Sequence, residues 1–417
     1  MSTSALFPRF RWFVLITLCI TTATTAVALI SPAPLMGPIA KALGISLGEA
    51  TGATMGMYNL FVAIFCLIGG ALLDRFGPFR VWVVCLILIA IGELAMPFFG
   101  TTLGGLSVLR IIEGIGTGPI MASTARVAAQ WFPANERGIV TGIQGMSMGL
   151  GIAIGFMVAP AVFESTGDWA VTMAWLTVIT VIALVMTLVI VFGPKPPAMP
   201  SAEEAGTAAG GQSDFAAALK LPATWGAIMC VVLLSWVMQG FNDLIPGYIA
   251  IDSPVGLGKG PVAAGQFMTA LQFAFMVGAV LSGFIVEKLF GGRSKPVVFI
   301  GFIGFAIFCA GMKFAFVTSS ESIMLVNLIL AGFFQALCIP PSIAFIARNY
   351  PEHVTGKLGG LAQGIGVFGG TAGVFAGSYA LHTTGLYSVS MVIVTAVAVV
   401  GCFFALAMNP PKIFARK

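Results

Sequence analysis

The chain has 417 residues, 58% of them hydrophobic and 8% charged, with a formal net charge of +5 and a mean hydropathy of +1.03. Soluble domains carry about 25% charged residues, so this composition excludes a soluble globule and reads as an integral membrane protein embedded in a lipid bilayer. The positive balance is then a matter of loops, and no nucleic-acid partner is expected.

A helix needs about 20 apolar residues to cross the hydrocarbon core. Apolar runs at 12–36, 49–73, 79–100, 105–129, 138–163 and 169–192 predict six crossings, and runs at 223–250, 261–287, 296–316, 322–347, 356–381 and 386–408 predict six more. The first run continues through Ile30, too long for a signal-peptide core of ~7–15 residues, and is read as an uncleaved span. The expected organisation is an N-terminal six-helix bundle over 1–192, a cytoplasmic linker over 193–221 and a C-terminal six-helix bundle over 222–417. The linker opens Gly193-Pro194-Lys195-Pro196-Pro197 and continues Ala/Gly/Ser-rich to Lys220. Proline stiffens such a segment, and small polar residues give it no core to join. Alternating the loops puts fifteen Lys and Arg on one side and leaves Lys41, Lys259 and Lys313 on the other. The positive-inside rule then predicts that both termini and the linker are cytoplasmic, in a multi-pass protein of the cell inner (plasma) membrane.

Span two carries Asn59 and ends in a hinge with Gly70, Asp74, Arg75, Gly77 and Arg80. The same pattern recurs 213 residues later as Gly283, Glu287, Lys288, Gly291 and Arg293. Each copy sets a small residue four before an acid, then a base, glycine and further positive charge, where a buried helix must reverse. At an offset of 218, Pro133, Gly138, Gly142, Gly151 and Gly155 match Pro351, Gly356, Gly360, Gly369 and Gly373. Duplicated helical halves in a bilayer are the architecture of secondary transporters. Asp74 and Glu287 are expected to act as latches, each facing the positive N-terminal end of a helix in the opposite half, where such a contact contributes ~0.3–1 kcal/mol. The competing reading is a topology signal with solvated charge.

Glu93 is buried in span three with nothing polar near it in sequence. In span four, Arg110, Glu113, Thr117 and Thr124 fall within about 60° on a wheel of ~100° per residue, one polar stripe. A charge at mid-membrane costs ~2.5–3.5 kcal/mol, so Glu113 needs a reason to exist. A structural Arg110–Glu113 pair and a proton-titrating carboxylate tuned by the arginine are both open. Arg126 lies nearly opposite the stripe and suits a snorkelling or loop-pairing role. Span seven offers Trp236, Gln239 and Asp243 at i, i+3, i+7, followed by Pro246-Gly247, which can unwind a helix where it lines a cavity. Asn59 matches Gln272 at 213, and Thr117 matches Gln335 at 218. These repeated polar positions suggest a central cavity, with ordinary interhelical hydrogen bonds the alternative. Pro119 in span four and Pro340-Pro341 in span ten are expected to break those helices at comparable depth.

Gly364-Ile-Gly366-Val-Phe-Gly369 spells a dinucleotide fingerprint, but that site requires a preceding strand, and here the glycines are helix-packing positions. The seven cysteines sit in apolar runs, where a thiol behaves as a small apolar group. No disulfide, metal site or other cofactor is expected, and the absence of a nucleophile pattern argues against an enzyme.

With twelve spans, a central linker and the twin hinge, the chain resembles the major facilitator superfamily over essentially its whole length. Gly70…Asp74-Arg75…Gly77…Arg80 is similar to the family's loop 2–3 signature, with Pro78 and Phe79 in place of its usual basic residues. Arg110-Ile-Ile-Glu113-Gly114-Ile-Gly116 is similar to its span-four pattern, with glutamate for the usual glutamine. Trp131-Phe132-Pro133…Glu136-Arg137-Gly138 resembles a loop of its organic-anion symporters. Half of the antiporter signature of span five is present, with Phe156 where it has proline. The resemblance implies an all-α fold of two pseudo-symmetric six-helix bundles working by alternating access.

The leading expectation is a monomeric secondary transporter of a small solute, a proton- or ion-coupled organic anion of monocarboxylate type. Coupling is placed on Arg110, Glu113 and Asp243, gating on the two hinges, and substrate binding on Asn59, Thr117, Trp236, Gln239, Gln272 and Gln335. Arg110 is the permanent positive charge on these faces, and an arginine fork suits a carboxylate. An exporter of amphipathic compounds and a transporter-like sensor or scaffold without flux are the alternatives.

Overall fold

The computed structural model describes residues 9–133, 136–195 and 211–411. The linker stretch 196–210, with Glu203 and Glu204, and the terminal Lys412, Arg416 and Lys417 counted in the loop-charge argument lie outside the described residues. Every regular element among those described is helical.

The first crossing is α1 (Arg11–Ile30), a 3₁₀ turn at Ala33–Leu35 and α2 (Met36–Leu43). Pro32 and Pro34 withhold backbone donors at this break. The second is α3 (Leu47–Thr51), a π-helical turn at Gly52–Gly56 and α4 (Met57–Phe76). Ser46 and Glu49 close a capping box that starts it. The third is α5 (Pro78–Phe99), and the fourth combines α6 (Leu103–Ala122) and α7 (Thr124–Trp131). The half is completed by α8 (Arg137–Thr166) and α9 (Trp169–Phe192). After α10 (Gly211–Leu219) come α11 (Pro222–Ala250), α12 (Gly260–Phe284, continued by a π turn at Ile285–Leu289) and α13 (Ser294–Gly311). The short α14 (Ala315–Thr318) precedes α15 (Glu321–Ala336) and α16 (Ile339–Asn349), which share a crossing, then α17 (Glu352–Thr384) and α18 (Tyr387–Leu406).

Eleven helical stretches among the described residues are long and apolar enough to cross a bilayer. The stretch at α6 is not among them, and it is the one that buries both an arginine and a glutamate. Large apolar side chains such as Phe98, Phe192, Leu289 and Phe403 face outward, a surface that suits lipid and would be costly in water.

The chain divides into two compact units, residues 1–201 with 249–269, and 202–248 with 270–417. In the first, α6 packs against both α4 and α5, α9 packs against α5, and α1 packs against α8. In the second, α13 packs against α15, α16 and α18, and α17 against α18.

Two proline expectations need correction. Pro119 lies inside α6, and the break comes at Ser123, whose hydroxyl donates to the Ile120 carbonyl (2.6 Å) and accepts from the Trp82 indole (2.8 Å). The membrane helix tolerates the proline because neighbouring groups satisfy the backbone around it. Pro340-Pro341 does sit at a break, between α15 and α16, and opens α16, where missing N–H groups cost nothing. Like α6 at Pro119, α11 runs through Pro246-Gly247 to Ala250 without unwinding.

Candidate functional site

The polar interior of the first unit centres on Arg110. Pro32 has no N–H to offer the Ala28 carbonyl four residues back, so that acceptor is left over by the break in α1. Arg110 takes it: Nη1 donates to Ala28 O (2.8 Å), Nη2 to Leu29 O (3.2 Å), and Nε to Thr54 O in the π turn (2.8 Å). Nη1 also pairs with the carboxylate of Glu113 on the same helix. The guanidinium lies 4.4 Å from the Tyr58 ring centre. Arg110 and Glu113 are 2% and 1% exposed, so this is a desolvated ion pair whose remaining donors are met by backbone. The fork expected to grip a carboxylate is engaged within its own unit, by three backbone carbonyls and Glu113.

Tyr58 extends the network. Its hydroxyl donates to Thr25 O (2.9 Å) and bonds the Thr117 hydroxyl (2.7 Å). Asn59 is buried, and its amide donates to Met55 O one turn earlier (2.9 Å). Thr124, the last member of the expected stripe, lies beyond the break, on the first residue of α7.

Sequence reasoning left Glu93 without polar neighbours, and the fold supplies them. Thr180 on α9, 87 residues away, donates to its carboxylate (2.8 Å). A Cβ on Gly92 would stand 2.9 Å from Oε1 of Glu113, so only glycine lets that carboxylate lie against α5 beside Glu93. The Oε1 atom is buried with no hydrogen-bond partner.

The second unit buries one carboxylate among the described residues, Asp243, in a setting of amides and hydroxyls. Gln239 donates to Asp243 (3.4 Å), both buried on α11, and Trp236 is half-buried one turn earlier. On α12 and α15, which touch where the Leu271 carbonyl meets Gly332, Gln272 and Gln335 are 2% and 1% exposed. Gln272 Oε1 and both amide atoms of Gln335 have no partner, nor do Asn242 Oδ1 and the Tyr387 hydroxyl. Asn242 and Tyr387 were not singled out from sequence. The only signal was a phenol 140 residues beyond Gly247, where a Cβ would stand 2.5 Å from its oxygen.

The hinges are held inside each unit. Gly77 takes φ +81° at the end of α4, and Gly291 and Gly292 take +56° and +82° after the second copy, values that favour glycine. Asp74 pairs with Arg126 on α7, and Glu287 with Arg348 on α16. Arg348 also donates to the Gly292 carbonyl (2.9 Å). Each hinge acid thus bonds an arginine that follows the break in its own unit's fourth crossing. Arg75 stacks on Phe76, 5.2 Å from its ring centre. Gly70 and Gly283 have open space where a side chain would be.

An all-helical, twice-repeated membrane fold with broken helices around buried polar groups defines a membrane transporter, not an enzyme. Comparison with known proteins agrees. The sequence pattern of the Major Facilitator Superfamily matches residues 15–295 and 256–415, and the chain belongs to that family. It is 25% identical over 392 residues to the probable sulfoacetate transporter SauU of Cupriavidus necator, covering 87% of each chain. It is 24% identical over 336 residues to the cis,cis-muconate transport protein of Acinetobacter baylyi, covering 78% of this chain and 77% of that one. Among solved structures, a D-xylose-proton symporter shares its fold at a TM-score of 0.77 and 18% identity, covering 96% and 98%.

Proposed function

We propose that the protein is a proton-coupled carrier of a small organic anion, working by alternating access of two six-helix bundles (1–192 and 222–417) joined by a cytoplasmic linker, with both termini cytoplasmic. The observation that carries this reading is the buried Arg110–Glu113 pair. While Glu113 is ionised, the arginine's charge is cancelled. A proton on Glu113 uncovers one positive charge in a low-dielectric interior, where it strongly favours an anion. Relatives named for sulfoacetate and cis,cis-muconate support an organic acid as cargo. The unpartnered amides of Gln272 and Gln335 supply neutral hydrogen bonds for the rest of the substrate, with Asn59, Thr117, Trp236 and Gln239. Asp243 is a second coupling candidate. The hinge residues Asp74 and Glu287 set the balance between conformations. One proton moved through 100 mV carries ~2.3 kcal/mol, sufficient to drive useful accumulation.

The test is uptake of labelled acids into proteoliposomes, with and without an inward pH gradient, competed by matched acids, amides and amines. The panel includes monoacids and diacids, sulfoacetate and cis,cis-muconate among them. Acid-driven uptake blocked by acids alone is expected, with monoacids preferred because a single arginine supplies the charge. Inhibition by amines but not acids overturns the anion assignment. The Glu113→Gln variant should exchange substrate between compartments of equal pH yet fail to accumulate it. Unchanged gradient-driven accumulation would make the pair merely structural.

A further inference from the structure

The first unit buries two carboxylates around one cation. Glu93 on α5 is 4% exposed and Glu113 on α6 is 1% exposed. Glu113 pairs with Arg110, and its carboxylate lies against Gly92, the residue before Glu93. Beside Arg110 and Glu113, α6 offers no other charge, α4 offers the neutral Tyr58 phenol, and α9 offers only hydroxyls, that of Thr180 bonded to Glu93 at 2.8 Å. Glu113 lies between the other two, its Oε2 on Arg110 and its unpartnered Oε1 against Gly92, next to Glu93.

Were both carboxylates ionised, this interior would hold a net charge of one negative with no counterion. Burying an uncompensated charge costs several kcal/mol, and a like charge alongside raises that cost. A proton removes the problem, and the contacts say which carboxylate holds it. Glu113 has the arginine, while Glu93 has only a neutral hydroxyl donor. We propose that Glu93 carries a resident proton, retained because Glu113 already claims the one positive charge. The proton is set by charge counting as well as by burial, so it leaves if Glu113 is neutralised by substitution. On the carrier reading given above, which this consequence alone rests on, a proton taken up by Glu113 frees Arg110 for a bound anion, and where no anion is bound Glu93 gives up its proton and takes the arginine instead.

The test needs no transport, so it stands or falls separately from the carrier reading. Full-length protein in lipid nanodiscs at neutral pH is examined by infrared spectroscopy with glutamate carboxyl carbons ¹³C-labelled. Labelling shifts glutamate bands only, so Asp243 does not contribute. Wild type should show a protonated-carboxyl band that shifts on labelling. The band should vanish in Glu93→Gln, whose amide still accepts from Thr180 and whose melting temperature should stay near that of wild type. It should vanish in Glu113→Gln as well, because Glu93 then becomes the counterion of Arg110. A wild type without the band, or a band that survives Glu93→Gln, overturns the resident proton. A band that survives Glu113→Gln overturns charge counting as its cause. Adding sodium at constant pH gives the remaining control: sodium that shifts or abolishes the band would make this a metal-ion site and overturn the proposal.

Discussion

The two units descend from one pattern, yet they treat buried polarity in opposite ways. The first concentrates formal charge, with Arg110, Glu113 and Glu93 within one cluster, and meets most of its hydrogen bonds from backbone breaks and hydroxyls. The second, in Gln272, Gln335, Asn242 and Tyr387, keeps neutral groups whose bonds are unmet. A charged cluster held largely by backbone and hydroxyl groups can gain or lose a proton with little rearrangement, which suits energy coupling. Neutral groups with spare donors and acceptors suit recognition, since an unmet buried bond costs ~1–3 kcal/mol and a matching ligand recovers it. On the proposed reading, the contrast places Arg110 and Glu113 in coupling and the neutral amides in shape selection, with Asp243 the one carboxylate buried in the second unit among the described residues.

The largest effect should come from emptying the charged side. Arg110→Ala orphans Glu113 and three carbonyls, and breaking a buried pair this way costs ~3–5 kcal/mol. A collapse in folded yield and melting temperature is expected, and adding Glu113→Gln should restore much of it. No rescue in the double variant would mean that the carbonyl contacts, not the charge, dominate. Next in size is Gly92→Ala, where a methyl group must displace Glu113. Overpacking costs ~1–3 kcal/mol, read as a lower melting temperature in detergent.

The neutral side should respond in reverse. Gln335→Leu removes two unmet polar atoms, so stability should hold or rise, while the apparent KM for uptake climbs about tenfold if the amide makes one substrate bond worth ~1.4 kcal/mol. A destabilised Gln335→Leu protein would erase the contrast. The smallest thermal effect belongs to Asp74→Asn and Glu287→Gln. Their ion pairs are partly exposed, and such pairs contribute ~0–1 kcal/mol. Melting should barely move, whereas turnover should slow; normal turnover in both variants at normal expression would remove the hinges from the mechanism.

Much of this was legible in sequence because it depends on local pattern. Hydropathy marks every crossing but the one at α6, where the buried charges lower it, and the hinge repeats carry their acids and glycines in fixed order. The Arg110–Glu113 pair is an i, i+3 neighbour relation on one helix. What stayed hidden depends on the fold. Glu93 looked isolated because Thr180 is on α9 and Glu113 reaches it only across Gly92. The acceptors of Arg110 are carbonyls, which no side-chain pattern displays, although Pro32 marked one of them as spare. Arg126 and Arg348 found their acids across two helices. Proline also misled: a missing N–H at Pro119 or Pro246 says where a bond is lost, not whether a neighbour makes it good.

The break in α1 also bears on how the protein is made. Leaving the ribosome, α6 presents an arginine and a glutamate to the translocon, an insertion penalty of about 5–7 kcal/mol if each counts in full. Its acceptors, the carbonyls of Ala28, Leu29 and Thr54, all lie earlier in the chain, so they are already in the bilayer when α6 arrives. The order of synthesis therefore lets α6 find its acceptors waiting. A circular permutant that moves the first two crossings to the C-terminus would keep every contact of the finished molecule and lose this one advantage in time.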